Sequence, residues 1–353
     1  MDYALVRKII RRNPFSIEKL PLVTRIYRYP FEKYETLGKL ALFGAPYLAV
    51  FYICRRILGL KPIGTFEFEI DGRKKPIRFD GSNTQFSALY FSRFSSGYEP
   101  HVSALLDVLV PGRGNFLDIG SNWGWFSLFV ASNKNFKGAV HAFEPFPSSF
   151  SDLVATVEQA DLRDKVKCHD VALSNRDGQG SMFLPDNFQS GGATLTAETQ
   201  QKSTVGAIVK LASLDSLELG AVGVVKIDAE GSELPILEGG ESLLQNQKPM
   251  IVFESGKHPL NAGGTLGSMV YLSKFGYVFF HLSWLRRWND ISFFVGDDSD
   301  PDPRSEEELA LVKFELQERF LHQDSMNIFA CHEERLSETE LLFDRYSSGF
   351  MKK

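Results

Sequence analysis

The fold of this chain is set by one short passage, Phe116-Leu-Asp-Ile-Gly-Ser-Asn-Trp-Gly124. The passage opens as an apolar run of strand length that carries Asp118, and it continues with Gly120 and Gly124. Glycine lets a backbone turn tightly and approach a ligand closely. An apolar strand that ends in such a turn predicts an α/β unit, in which ligands bind beyond the carboxyl end of the strand.

Short apolar runs recur after this passage, separated by segments long enough to form helices. The runs cover 116–119, 139–143, 166–171, 223–228 and 250–253. Strands that alternate with helices predict a doubly wound α/β fold, in which a mostly parallel sheet has helices on both faces.

Three further patterns extend this prediction at both ends. Two later runs, 277–282 and 326–330, have a helical pattern only at 306–320 between them, and we expect them to close the sheet as an antiparallel pair. Upstream, 65–70 and 76–79 flank an Asp-Gly turn, which predicts a β-hairpin. Charges and prolines at 297–303 predict an exposed loop.

Composition indicates a folded protein and little else. A chain of 353 residues is long enough for one large domain with additions or for two modest domains. An apolar share of 43% and a charged share of 24% are close to average, which argues against disorder and against many membrane spans. The three cysteines, Cys54, Cys168 and Cys331, are far apart and support neither a disulfide framework nor a zinc site. We therefore expect no structural metal and a reducing cytoplasm.

The net charge of −5 hides a basic amino-terminal region. Residues 1–61 hold roughly twelve Lys and Arg against four Asp and Glu, and they include an uncharged apolar run at Leu40–Ile53. The run is shorter than the ~20 residues that a membrane-spanning helix needs. Two interpretations remain open: a helix packed on the main domain, or a peripheral anchor whose basic residues meet anionic lipid.

The chemistry of the turn favours an adenosine-containing ligand other than a dinucleotide. A dinucleotide loop reads Gly-X-Gly-X-X-Gly, whereas this loop reads Gly120-X-X-X-Gly124 with Trp123 in place of a small residue. Glu144 ends the next strand and can accept hydrogen bonds from both ribose hydroxyls. A nicotinamide oxidoreductase is therefore the less favoured enzyme.

An acidic turn, Lys226-Ile-Asp-Ala-Glu-Gly-Ser-Glu233, ends the fourth strand on the same sheet edge. Asp228 follows the strand directly, so it is our leading candidate to take a proton from an acceptor hydroxyl or to orient that hydroxyl. Glu233 is interpreted as a helix first-turn acid. His258, beyond the fifth strand, is the second candidate base, because histidine titrates near neutrality.

Taken in order, these elements resemble the FkbM family of class I S-adenosylmethionine-dependent methyltransferases. The resemblance runs from 97 to 254 through seven elements: Gly97-Tyr-Glu-Pro100, Leu117–Gly124, Phe143-Glu-Pro145, Ala172-Leu-Ser174, Ser190–Leu195, Leu214-Asp215 and Val225–Glu233. It implies a cofactor site lined by Asp118, Gly120, Ser121, Asn122, Gly124 and Glu144. It also implies Glu99 near the amino acid end of the cofactor, and Asp170 or Ala172 near the adenine.

The resemblance implies an enzyme that methylates a hydroxyl of a sugar, glycan or related small molecule. We expect a methyltransferase domain at 63–353, with a cofactor-binding core at about 97–255 and acceptor-side elements at about 256–353, preceded by a helical extension at 1–62. Trp284 and its neighbours either line a saccharide cleft or pack the extension. The acidic catalytic region argues against a nucleic-acid substrate. The alternative outside catalysis is a scaffold that keeps the fold and docks to a membrane or partner.

Overall fold

The computed structural model describes residues 4–9, 12–17, 49–50, 53, 57–60, 63–81, 83–90, 94, 97–184, 195, 204–256, 262–288, 291–295, 308–321 and 325–350. The strands are β1 (Ala4–Lys8), β2 (Phe15–Ser16), β3 (Ile63–Ile70), β4 (Arg73–Asp80), β5 (Asn115–Ile119), β6 (Val140–Phe143), β7 (Val166–His169), β8 (Val171–Leu173), β9 (Gly178–Leu184), β10 (Thr204–Ala212), β11 (Val222–Ile227), β12 (Met250–Ser255), β13 (Tyr277–Trp288), β14 (Ile291–Val295), β15 (Glu308–Phe314) and β16 (Met326–His332). The α-helices are α1 (Ser87–Tyr90), α2 (Pro100–Leu109), α3 (Trp125–Ala131), α4 (Pro147–Ala160), α5 (Glu233–Glu238), α6 (Glu241–Asn246), α7 (Ala262–Ser273) and α8 (Leu336–Phe350). Short 3-10 turns cover Thr84–Phe86, Leu214–Ser216, Leu316–Leu321 and Glu333–Arg335.

The main sheet confirms the doubly wound α/β fold. Its order is β1-β15-β13-β16-β12-β11-β5-β6-β7, and β14 pairs with β13. The five strands from β12 to β7 are parallel, whereas β16 pairs antiparallel with both β12 and β13. The central part of the sheet is thus parallel, as expected for a class I methyltransferase, and the other strands, including the C-terminal strand β16, pair antiparallel. The predicted closing antiparallel pair is confirmed as β13 and β16.

Two apolar cores lie on opposite faces of the sheet. Successive residues of a strand point to opposite faces, so Phe116 joins one core and Leu117 the other, and Val224 and Val225 divide in the same way. The first core includes residues of α2, α3 and α4, and the second includes residues of α5, α6 and α7. Burial on both faces explains the continuous apolar runs of these strands.

One predicted helix is a strand. The pattern at 306–320 favours a helix, but β15 covers Glu308–Phe314 and pairs antiparallel with both β13 and β1, and only a 3-10 turn follows it. Leu309, Ala310 and Leu311 are at most 1% exposed. Burial between two partner strands therefore overrides the local helical preference.

The amino-terminal extension also differs from the expected helices. Residues 4–8 form β1 at the edge of the main sheet, and residues 15–16 form β2 beside the predicted hairpin, which is confirmed as β3 and β4. Their partner strands lie far along the chain, so the local sequence gives little sign of this pairing. Most of the apolar run, at 40–48, and the whole predicted loop at 297–303 lie outside the described residues, and the boundary at residue 62 stays a prediction. Among the helices that the structure describes, none has the length and apolar character needed to cross a membrane.

Candidate functional site

A cavity of about 260 Å³ opens at the carboxyl ends of β5, β6, β11 and β12. This is the edge at which open α/β sheets bind ligands. Three of the six non-glycine residues with positive φ in the described part of the chain line it, and such backbone strain concentrates at functional sites. They are Glu99 (φ 41°), Asn122 (φ 50°) and Glu230 (φ 49°).

The loop after β5 has a shape that requires its two glycines. Gly120 has φ 78°, and a Cβ atom there would lie 1.8 Å from the backbone oxygen of Asp228. Gly124 has φ 98°, and a Cβ atom there would lie 2.8 Å from Leu153. The loop is fixed further by the amide groups of Gly120 and Ser121, which both donate to the carbonyl of Phe143. Gly120, Ser121 and Asn122 line the cavity, whereas Gly124 lies behind them at the start of α3.

Glu144 is held at the cavity by the two segments beside it. Its Oε2 accepts from the backbone N–H of Asn122 at 2.8 Å, and its Oε1 accepts from that of Phe146 at 2.8 Å. The residue is 6% exposed, and burial raises the pKa of its carboxyl to about 7. A carboxylate has about four acceptor positions, so each oxygen keeps one for a ligand.

Asp118 lies beneath the loop and does not line the cavity. It is fully buried, and its Oδ2 accepts from the Ser127 hydroxyl at 2.5 Å. Its Oδ1 has no hydrogen-bond partner among the described residues. Burial raises the pKa of Asp118, and the nearby Lys226 ammonium partly offsets that rise.

Lys226 and Asp228 form an ion pair in the cavity wall. The Lys226 Nζ lies 2.9 Å from Asp228 Oδ2 and 4.5 Å from the centre of the Phe126 ring. The Lys226 side chain is 3% exposed and that of Asp228 24%. Burial acts to lower the pKa of Lys226, but the carboxylates of Asp228, Glu99 and Asp118 outweigh it and hold the pKa above its ordinary value. Lysine therefore stays charged and orients Asp228.

Two further acids line this cavity: Glu254, which the sequence did not indicate, and Glu230, which belongs to the predicted acidic turn but was not singled out there. Glu254 lies in β12, one residue beyond the predicted end of that strand, and Glu230 follows Asp228 in the acidic turn. Burial, and then the charge of Asp228, raise the pKa of both carboxyls, that of Glu230 to about 8. Glu254 would have been found by extending the strand by one residue.

The remaining predicted residues lie apart from the cavity or outside the described chain. Asp170 stands where the chain passes from β7 to β8; its side chain is 60% exposed and pairs with Lys210 at 3.1 Å, whereas Ala172 lines the cavity. His258 and the segment 190–194 lie outside the described residues. Trp284 is fully buried in the same core as Leu5, which favours the packing interpretation for this residue. Among the described residues, no three His, Cys, Asp or Glu are arranged to hold a metal ion.

Comparison with known proteins gives a family match over this region. Residues 116–291 match the model of the methyltransferase FkbM domain. A relative from Haloferax volcanii, the hexuronic acid methyltransferase AglP, is 32% identical over 135 residues, which are 38% of this chain and 53% of the relative. The chain thus matches about half the length of that curated relative.

Among solved structures, the methyltransferase FkbM of Methylobacillus flagellatus is 14% identical with a TM-score of 0.34, over 56% of this chain and 43% of that one. The O-methyltransferase of Bacillus cereus in complex with SAH is 12% identical with a TM-score of 0.30, over 60% of this chain and 78% of that one.

Proposed function

We propose that this chain, which carries a methyltransferase domain of the FkbM family at residues 116–291, moves a methyl group from S-adenosylmethionine to a hydroxyl of a sugar, glycan or related small molecule. The observation that carries the proposal is the placement of Glu144 and Asp228 on one cavity, each directly after its own parallel strand. This arrangement puts an acceptor for ribose hydroxyls and a group for proton removal beside the same loop.

The residues present fit S-adenosylmethionine. Glu144 keeps free acceptor positions for two ribose hydroxyls. Gly120 has no side chain, which leaves the loop open, because a Cβ atom there would collide with the backbone of Asp228. Two apolar residues of β8, Val171 and Ala172, give the cavity a surface suited to adenine. When bound, this cofactor supplies an electrophilic methyl group: the acceptor oxygen forms the new bond to carbon as the bond from carbon to sulfur breaks and its electron pair returns to sulfur.

The chain's own residues position the acceptor and receive its proton. The ion pair with Lys226 holds Asp228 in a fixed orientation, so Asp228 can accept the hydroxyl proton as the oxygen becomes bonded to carbon. His258 stays the second candidate for this role. The name of the Haloferax volcanii relative supports a sugar as the class of acceptor.

The proposal is tested by titrating the full-length protein with S-adenosylhomocysteine in a calorimeter, because the product binds without the acceptor. We expect saturable one-site binding that Glu144→Ala weakens by about 1–3 kcal/mol, since the ribose hydroxyls lose their partner. Asp228→Asn should keep most of this affinity while methyl transfer to glycan acceptors falls by about 10²–10⁴-fold. Absence of binding at high ligand concentration would favour the scaffold alternative.

Peripheral membrane contact is a separate proposal for the amino-terminal region. Several large apolar side chains between 50 and 60 are exposed, among them Ile57 at 70% and Leu58 at 61%, and Arg55 and Arg56 lie in the same segment. Apolar side chains beside basic ones suit the surface of an anionic bilayer.

Binding to vesicles that contain phosphatidylserine tests this contact in the full chain. Truncation at residue 62 is unsuitable because it would remove β1 and β2 from their sheets. We expect Ile57→Asp to weaken binding several-fold, since one exposed apolar side chain contributes roughly 1–2 kcal/mol on insertion. The matched control is Ile208→Asp, which alters an equally exposed isoleucine, 65%, on β10. Equal loss in both variants, or no binding by the unaltered protein, would refute the contact.

A further inference from the structure

One part of the cavity is strongly acidic. Glu99, Asp228, Glu230 and Glu254 all line it, and they come from the start of α2 and from the ends of β11 and β12. They are close enough to affect one another, because the charges of Asp228 and Glu254 both help to raise the pKa of Glu230. All four also raise the pKa of the half-buried Tyr98 phenol, Glu99 most strongly. These four residues are called the acidic end of the cavity below.

Few positive charges balance the acidic end. Lys226 is the one cationic side chain among the described residues that line the cavity, and Asp228 already pairs with it. Arg319, which lies near Glu254, is 1% exposed and directs its guanidinium to the Ser255 hydroxyl and carbonyl and to the Gly256 carbonyl. Among the described residues that line the cavity, carboxylates outnumber cationic groups even when the single net positive charge of a bound S-adenosylmethionine is added.

Aromatic side chains stand beside the carboxylates. Tyr98, Trp125 and Phe126 line the cavity, and the Trp125 indole N–H is buried without a hydrogen-bond partner among the described residues. Trp125 is 6% exposed, so a ligand group that accepts this hydrogen bond would remove a desolvation cost. Trp125 stacks on Phe15, and Phe126 lies under Lys226. Of these three cavity rings, the half-buried Tyr98 ring is therefore the face left for a sugar ring, and carboxylates accept hydrogen bonds from the sugar hydroxyls.

We infer that the acceptor is a sugar ring without an acidic group, either neutral or amino-bearing, and that the acidic end excludes uronic acids and phosphorylated rings. This inference rests on the proposed function and narrows its substrate class. An anionic group placed among these carboxylates would meet like charges in their ionised forms, and the repulsion grows as pH rises through the raised pKa values of Glu230 and Glu254. Neutral hydroxyls and ammonium groups, in contrast, find acceptors there. The inferred acceptor therefore differs in charge from a hexuronic acid, the sugar for which the Haloferax volcanii relative is named.

The test compares sugars that differ in one group only. Full-length protein saturated with S-adenosylhomocysteine is examined by saturation-transfer NMR at pH 9, where Glu230, with its pKa of about 8, is ionised. The ligands are methyl glucoside, its 6-amino-6-deoxy form and methyl glucuronoside. The galactose and mannose series are examined in the same way. We expect the neutral and amino sugars to bind at least about tenfold more tightly than the uronates. The double variant Glu230→Gln, Glu254→Gln should reduce this difference to about threefold or less, because it removes two of the repelling charges.

Glu218→Gln is the matched control, since it removes an exposed carboxylate outside the cavity and should leave the discrimination unchanged. Uronates that bind as tightly as neutral sugars would overturn the inference. The inference would also be overturned if S-adenosylhomocysteine bound but no sugar did. That outcome would support the cofactor site and rule out a sugar acceptor. Failure of S-adenosylhomocysteine itself to bind would overturn the proposed function, and the inference with it.

Discussion

Glu144 shows how one buried carboxyl makes cofactor binding depend on pH. Burial raises its pKa to about 7, and the charges of Asp118 and Asp228 act in the same direction, although two backbone N–H groups favour the ionised form. The ionised carboxylate can accept from two ribose hydroxyls while it keeps its bonds to Asn122 and Phe146. We therefore expect S-adenosylhomocysteine affinity to rise as pH increases from 5.5 to 8, by up to about tenfold per pH unit below 7.

Glu144→Gln separates this effect from other titrating groups in the cavity. Glutamine has the same shape but does not ionise, so the variant should bind more weakly at pH 8 and show a flat profile below pH 7. The measurement is the dissociation constant by calorimetry at half-unit intervals of pH. Equal slopes in the two proteins would assign the pH dependence to another group, such as Glu230, whose pKa is about 8.

At the scale of elements, the segment that contains β2 supports the helix that follows the cofactor loop. Arg12 donates to Asp107 in α2 at 2.9 Å and to the carbonyl of Phe129 in α3 at 2.6 Å. The Asp107 side chain is 4% exposed, so Arg12→Met would leave it buried without its cation. We expect a loss of about 2–3 kcal/mol in the free energy of unfolding, measured by urea denaturation.

Arg7 gives the matched comparison for Arg12. It also pairs with an aspartate, Asp344, but the two side chains are 36% and 53% exposed. Arg7→Met should cost at most about 1 kcal/mol, because solvent screens exposed ion pairs. If the free energy of unfolding falls equally in the two variants, the Arg12 contacts do not stabilise the packing of the amino-terminal segment on the domain.

Sequence periodicity identified the elements that are buried on both faces and missed those defined by distant pairing. The runs at β5, β6, β11 and β12 could be predicted because each is predominantly apolar. β1 and β15 could not, since β1 pairs with a strand about 300 residues away and the polar ends of β15 resemble a helix. For the site, strand ends revealed Glu144 and Asp228. Asp170 was not predicted to be exposed, because the run at 166–171 looks like one strand. In the structure the chain leaves the main sheet after β7 and enters another sheet at β8, and Asp170 lies between them.

At the scale of the whole molecule, the cost of keeping acids buried near the site makes folding stability depend on pH. Glu233, 8% exposed, accepts from the backbone N–H groups of Ala229 and Gly231, and burial raises the pKa of its carboxyl to about 7 from 4.5. A carboxyl with a raised pKa in the folded state stabilises the fold fully below its unfolded pKa. That contribution is lost as pH rises through the folded value. Glu233 therefore destabilises the protein progressively between about pH 4.5 and pH 7.

Histidines also contribute to the pH dependence of the folding free energy. His141, His169 and His332 have pKa values lowered by burial, so their contribution to stability is instead lost as pH falls. A comparison of variants cancels them, because Glu233→Gln changes one carboxyl and leaves every histidine in place. Glutamine keeps an oxygen that can accept from Ala229 and Gly231, and it carries no proton that titrates in this range.

We expect Glu233→Gln to gain about 2 kcal/mol relative to the unaltered protein when the pH is raised from 5.5 to 8. The measurement is the free energy of unfolding from urea titrations of the full chain at both pH values, without cofactor. Glu218→Gln, at a carboxylate that is solvated in the folded and unfolded states, should show no such gain. A gain of the same size in both variants would mean that overall charge, rather than burial beside the cavity, governs the response.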